Sequence, residues 1–167
     1  GDAATNANHR QEHAQEILRY PWAQAVLEIA MRKKPAAALE FGNQYASAPY
    51  AAGIRKSAVQ HAPVAALFFA SNWQILPADS ILLKQTAQAL AKTYPGYFAV
   101  LRLFPRYAAY LDQAERTRLV ETVANRSVSV ALADVPQYIP HVPRAWGRAF
   151  LQQLAKDVVR TEPEWAL

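Results

Sequence analysis

Apolar residues recur at helical spacing along most of the chain. The segments 82–90 and 144–160 each place apolar side chains three or four residues apart, as one buried face of a helix requires. Residues 8–19 are mostly polar and offer only a short apolar stripe around Ile17 and Leu18. The pattern predicts an all-α protein that begins with a polar terminal helix.

Prolines divide this pattern into short helices. Proline is accepted in the first turn of a helix, where its missing N–H has no partner, and it keeps the preceding residue out of helical geometry. Evenly spaced prolines therefore predict successive helix starts. Five of them follow one another at intervals of 14 residues: Pro21, Pro35, Pro49, Pro63 and Pro77.

The repeating unit is 28 residues long. Residues 35–41 (PAAALEF) and 63–69 (PVAALFF) share five of seven residues, and Tyr45 is matched by Trp73, 28 positions later. Two helices per unit are typical of α-solenoids. We expect Tyr45 and Trp73 to fill the space between helix layers; the alternative places them at the edge of a groove.

This organisation predicts one domain over residues 1–167 and resembles the broad class that contains TPR and HEAT repeats. The resemblance implies antiparallel helical hairpins stacked as a short α-solenoid, either a right-handed superhelix or a compact array. The unit is shorter than in those families and lacks their signature residues. A bundle of kinked helices is the alternative. The expected segments are a cap helix at 6–20, repeats at 21–48, 49–76 and 77–104, a degenerate repeat at 105–135, and a linker with a C-terminal cap helix at 136–167.

Local signals set further helix boundaries. Asp112 followed by Glu115 has the spacing of a capping box, in which each side chain bonds the backbone N–H of the other residue. Either Asp79 or Ser80 can cap the helix that follows Pro77. A second helix in this repeat is expected to run from residue 96 past Pro105 to residue 111.

Composition excludes several classes of protein. The chain has 167 residues and no cysteine, which excludes a disulfide scaffold, a thiolate metal site and a cysteine nucleophile. Hydrophobic residues make up 52% of it, too many for a disordered tail. The longest apolar run, 62–70, is far shorter than the ~20 residues of a membrane span. We therefore predict a globular chain without a membrane span.

Positive charge is concentrated in the middle of the chain. The net charge is +5, and residues 41–111 contain six basic residues and one acidic residue. Lys56 and Lys84 are 28 residues apart and would stack along one face of a regular solenoid. A solvated helix face explains this pattern, and an anionic partner such as nucleic acid is the alternative. The predicted binding-surface residues are Arg55, Lys56, Lys84, Arg102, Arg106, Tyr45 and Trp73.

One short motif matches a metal-binding pattern. The residues His9-Arg-Gln-Glu12-His13 fit H-x-x-E-H and resemble the zinc-binding helix of inverzincin metalloproteases. Histidines four residues apart share a helix face, and Glu12 can activate a metal-bound water. The resemblance covers five residues in a polar segment and supplies no third ligand. We therefore predict no catalytic residue, metal or cofactor, and keep a zinc-dependent hydrolase as a remote alternative.

The expected function is a non-enzymatic interaction or scaffold module whose partner is a protein or peptide. Binding of nucleic acid or another anion is the second hypothesis. The chain begins with Gly1 and a polar, spacer-like segment, so we expect an exported bacterial protein, in the periplasm or cell envelope rather than the cytoplasm.

Overall fold

The structure is a computed structural model that describes residues 12–13, 16–72 and 77–161. Every regular element in these ranges is helical, which confirms the all-α prediction. The chain divides into two compact units, residues 1–82 and 83–167. Of the expected cap helix at 6–20, residues 12, 13, 16 and 17 are helical, and residues 6–11, 14 and 15 lie outside the described part. No helix in the described ranges has both the length and the apolar character needed to cross a membrane.

The first unit consists of helices, most of which begin at the predicted prolines. Prolines 21, 35, 63 and 77 are each the first residue of a helix, whereas Pro49 lies in a turn two residues before one. Helix α1 packs against α2 and α3, and α2 packs against α3 and α4. The last helix of this unit, α5, starts at Pro77 rather than at Asp79 or Ser80, and it continues into the second unit. The bounds are α1 Pro21–Lys33, α2 Pro35–Glu40, α3 Ala51–His61, α4 Pro63–Phe68 and α5 Pro77–Ala91.

The described part of the second unit, up to residue 161, contains six further α-helices. Helix α8 packs against α6 and α9, α10 packs against α6 and α7, and α9 packs against α11. The predicted capping box is confirmed, since Asp112 and Glu115 each accept the backbone N–H of the other, at 2.8 and 3.0 Å. The bounds are α6 Gly96–Arg102, α7 Phe104–Tyr107, α8 Gln113–Ala124, α9 Val128–Ala133, α10 Val135–Tyr138 and α11 Arg144–Thr161.

Helices α2, α4, α6 and α9 each end at a break and do not continue as one longer helix. After six or seven residues one residue leaves α-geometry, with φ between −93° and −102° and ψ between 3° and 16°, and a shorter helical turn follows. The prediction of one helix from residue 96 to residue 111 is therefore wrong, because the chain leaves α-geometry at Leu103. The segment expected as a linker from residue 136 begins within a short helix, α10. The break residues are Phe41, Phe69, Leu103 and Asp134.

A buried tyrosine spans three of these breaks in the same way. Each tyrosine hydroxyl donates to the backbone carbonyl seven residues earlier, and this bond ties the short turn after the break to the helix before it. Such short helices gain little from intrinsic propensity, so this tertiary contact stabilises them. The bonds run from Tyr45 to Ala38 at 2.5 Å, from Tyr107 to Val100 at 2.7 Å and from Tyr138 to Ala131 at 2.9 Å. The sequence-matched residue Trp73 lies outside the described residues.

Candidate interaction surface

Arg55 lies in the core of the first unit, not on its surface. Its side chain is 1% exposed, and Nε and Nη2 donate to the two carboxylate oxygens of Asp79 at 3.2 and 2.9 Å. The bidentate pair joins α3 to the first turn of α5. This position corrects the expectation that Arg55 belongs to a binding surface. The sequence held a signal for it, because Asp79 is the only acidic residue between residues 41 and 111.

The remaining predicted cations differ in exposure and pairing. Lys84 forms an ion pair with Glu115, and this contact ties α5 to α8. Arg102 is 72% exposed, and its Nε lies 3.6 Å from Oδ1 of the buried Asp134. Lys56 in the first unit and Arg106 in the second are both exposed. Three of the five predicted cations, Arg55 among them, are thus partly or fully neutralised by carboxylates.

Tyr45 is buried, and its hydroxyl is used in the structural bond to Ala38. Burial raises the pKa of Tyr45 to about 12, against a smaller opposing effect of the Arg55 charge. His13 of the zinc-like motif is exposed and lies 3.7 Å from Glu16, and His9 lies outside the described residues. No group of three or more His, Asp or Glu side chains in the described ranges is arranged to hold a metal ion.

The most distinctive surface feature is a row of exposed apolar side chains on α1, which we call the α1 stripe. Trp22, Val26 and Ile29 are 55%, 54% and 56% exposed and occupy positions i, i+4 and i+7 of one helix face. A different face of α1 packs into the core through Ala23 and Met31. Helix α1 is therefore apolar on two sides, and only one of them is buried within the first unit.

A groove of about 350 Å³ between α1 and α2 adjoins this stripe. Ala30, four residues after Val26 and thus beside it on the helix surface, lines the groove together with Leu27 and Tyr45. Two half-exposed side chains, Ile17 and Phe41, stand at its walls. We call it the α1–α2 groove. Stripe and groove thus lie side by side on α1 and α2.

Three consecutive cations follow the stripe, and we call them the basic end. Arg32, Lys33 and Lys34 are exposed, and none of them forms an ion pair with another described residue. Lys33 continues the line of the stripe, four residues beyond Ile29. Arg32 and Lys33 lie in the last turn of α1, where cations complement the partial negative charge of the helix C-terminus. Three cations thus lie at this end of the stripe, whereas Arg19 is the single exposed cation just before its other end.

The second unit exposes a smaller aromatic cluster. Tyr94 is 78% exposed, and its ring centroid lies 5.8 Å from that of Phe98, which in turn stacks on Tyr97 at 4.6 Å. Lys92 is exposed just before it in the chain. These rings cover one another, whereas the α1 stripe presents its side chains in a line.

Comparisons with models of protein families, with curated proteins and with solved structures give no match to this chain. The α1 stripe was missed in the sequence because residues 22–31 (WAQAVLEIAM) are apolar almost all round the helix. Such a pattern does not tell which face will be covered.

Proposed function

We propose that this chain is a non-enzymatic interaction module that binds another protein through the α1 stripe and the α1–α2 groove. The observation that carries the proposal is the exposure of Trp22, Val26 and Ile29 on one helix face. A row of apolar side chains exposed on one helix face favours association with a partner that covers it. Covering such side chains is favourable by about 25 cal/mol per Å² of apolar area, and tryptophan is frequent among the residues that dominate binding energy.

The same proposal takes the helical hairpins to be repeats of an α-solenoid. Its support is the recurrence of one local geometry: a short helix, a single break residue and a tyrosine hydroxyl bonded seven residues back. Within the first unit like helices also pack together, α1 against α3 and α2 against α4. Stacking of equivalent helices is the contact pattern by which solenoid repeats bury their apolar faces.

An anion-binding function has less support from the geometry. Arg55, Lys84 and Arg102 each face a carboxylate, which reduces the charge available to phosphate groups. Binding to DNA and RNA measured over a range of salt concentrations tests this alternative, since phosphate contacts give an affinity that falls steeply with salt. Tight, salt-sensitive binding would favour it over the protein-interaction proposal.

The decisive experiment compares capture of a partner by surface variants. We expect cross-linking in native extract to recover a defined partner with the wild type and to lose it with Trp22→Ser/Ile29→Ser. The matched control is Val159→Ser, which removes an equally exposed apolar side chain from α11 in the second unit. Unchanged urea midpoints would show that the variants are folded. Capture that survives the double substitution, or turnover of a substrate without any partner, would contradict the proposal.

A further inference from the structure

We propose that the occupant of the α1 stripe is an amphipathic α-helix of a partner protein that lies antiparallel to α1 and carries acidic residues in its first turn. This inference rests on the proposed function and specifies its partner. Two features carry it: the linear spacing of the apolar side chains and the basic end at one extremity of the stripe.

The spacing of the stripe fits a helix. Trp22, Val26 and Ile29 span seven residues of α1, about 10 Å along its axis at 1.5 Å per residue. A partner helix with apolar residues at i, i+3 or i+4 and i+7 places its anchors at the same intervals, as in other helix-in-groove complexes. Phe41 and Ile17 extend the apolar contact to one side, through the α1–α2 groove.

The excess of cations at the basic end, three against the single Arg19 at the other end of the stripe, favours one orientation. Arg32, Lys33 and Lys34 have no ion pair within the described residues, whereas the nearby Glu28 already accepts a hydrogen bond from Gln24 at 2.9 Å. Acidic residues of the partner are therefore favoured next to the C-terminus of α1. Acidic residues also stabilise a helix in its own first turn. Both conditions are met when the partner runs antiparallel to α1 and begins with Asp or Glu.

A second copy of this chain fits the stripe less well. If two α1 helices paired antiparallel about the centre of the stripe, the basic end of one copy would face Arg19 of the other, because residues 32 and 19 are equally far from that centre. Like charges placed opposite one another disfavour such a pair. Self-association through the stripe is thus an outcome that would contradict the inference.

The test uses two labelled peptides of identical composition and measures binding by fluorescence anisotropy. Both are helical 18-residue peptides with the same apolar i, i+4, i+7 face; one carries three Glu in its first turn and three Lys in its last, and the other has these residues exchanged. We expect the acidic-start peptide to bind about tenfold more tightly at 50 mM salt, which corresponds to a few exposed ion pairs. The preference should largely disappear at 500 mM salt, because screening weakens exposed pairs.

Two variants separate the contributions of charge and apolar contact. Lys33→Glu/Lys34→Glu should reverse the preference between the peptides, and Trp22→Ser/Ile29→Ser should weaken both. Lys56→Glu, at an exposed lysine on α3 of the same unit, is the charge control and should leave the preference in place.

The outcomes distinguish the inference from the function on which it rests. Both peptides could bind the wild type equally and fail to bind the Trp22→Ser/Ile29→Ser variant. That result would contradict the acidic, antiparallel orientation but would still support the interaction module. Failure of both peptides to bind at millimolar concentration overturns the helical occupant. If partner capture then also survives the loss of the stripe, the proposed function is overturned with it. Dimerisation of the wild type that the stripe variant abolishes would identify a second copy as the occupant.

Discussion

At the scale of single residues, the buried Arg55–Asp79 pair shows that a charged residue in the sequence need not contribute charge to the surface. Arg55 donates two hydrogen bonds to Asp79, and its Nη1 has no hydrogen-bond partner among the described residues. A buried guanidinium depends on its carboxylate, because removing one partner leaves an uncompensated charge in a medium that solvates it poorly. Substitution of either residue is therefore expected to lower the free energy of unfolding strongly.

Replacing the carboxylate should therefore destabilise the first unit strongly. Asp79→Asn keeps the size of the side chain and removes its charge, and we expect the free energy of unfolding to fall by about 3–5 kcal/mol, as for other broken buried pairs. Glu40→Gln is the control, since this exposed carboxylate in the same unit forms no ion pair with another described residue and should cost less than about 1 kcal/mol. Urea denaturation followed by circular dichroism measures both. Similar losses in the two variants would contradict the prediction.

The tyrosine that spans a helix break offers a second residue-scale prediction. Tyr107 is fully buried, and its hydroxyl donates to the carbonyl of Val100 at 2.7 Å. Tyr107→Phe removes this donor within the core and should lower the free energy of unfolding by about 1–2 kcal/mol. The highly exposed Tyr94 makes no such bond, so Tyr94→Phe should leave the urea midpoint unchanged. A neutral Tyr107→Phe would mean that the bond does not stabilise the broken helix.

At the scale of helices, two glycines should respond in opposite ways to alanine. A Cβ at Gly53 would meet no atom within 4 Å, so this residue does not provide close packing; at Gly96 a Cβ would lie 2.7 Å from the carbonyl oxygen of Leu90. Gly53→Ala should raise the free energy of unfolding by about 0.5–1 kcal/mol, because alanine loses less backbone entropy in a helix. Gly96→Ala should lower it by about 1–3 kcal/mol, because the backbone must shift. Thermal melting of both variants measures the difference, and a shift of the same sign in both would contradict this interpretation.

Some helix boundaries could be predicted from the sequence, and others could not. Proline at a first helical position and the Asp112–Glu115 capping box act within one turn, so the starts of α1 to α4 and of α8 were predicted to within two residues. The start of α5 was expected two or three residues late, at Asp79 or Ser80 rather than at Pro77. The breaks at Leu103 and Asp134 each lie two residues before a proline in the first turn of the next helix, Pro105 and Pro136, which is a local signal. The break at Phe41 has no such proline, and the buried Tyr45 that spans it makes a contact that local propensity does not encode.

At the scale of the whole molecule, charge and apolarity are distributed differently from what their positions in the chain suggested. Part of the positive charge in residues 41–111 is neutralised by the carboxylates of Asp79, Glu115 and Asp134. Glu115 and Asp134 lie outside that segment of the chain. The free cations of the basic end lie instead before it, beside the α1 stripe. Composition predicts neither the neutralised cations nor the exposed stripe, because the contacts between helices decide which charges form pairs and which apolar faces are buried.

Alkaline pH should weaken the whole molecule through its buried tyrosines. Burial raises the pKa of Tyr45 and Tyr138 to about 12 and that of Tyr107 well above its usual value, with the Asp134 charge adding to the effect on Tyr138. In the unfolded chain these groups ionise near pH 10. Below pH 10 the three tyrosines are protonated in both the folded and the unfolded chain, so they do not lower the free energy of unfolding. Between about pH 10 and 12 they lose protons in the unfolded chain and keep them in the folded chain, so the free energy of unfolding falls.

Urea midpoints measured from pH 9 to 11.5 test this dependence. The wild type should lose stability progressively above pH 10. Tyr45→Phe/Tyr138→Phe should start from a lower midpoint at pH 9, because two buried hydrogen bonds are lost, and should then decline less steeply, because two groups no longer ionise on unfolding. Tyr94→Phe, at the exposed aromatic cluster, should retain the wild-type slope. If the urea midpoint of the double variant fell as steeply with pH as that of the wild type, the loss of stability would arise from groups other than Tyr45 and Tyr138.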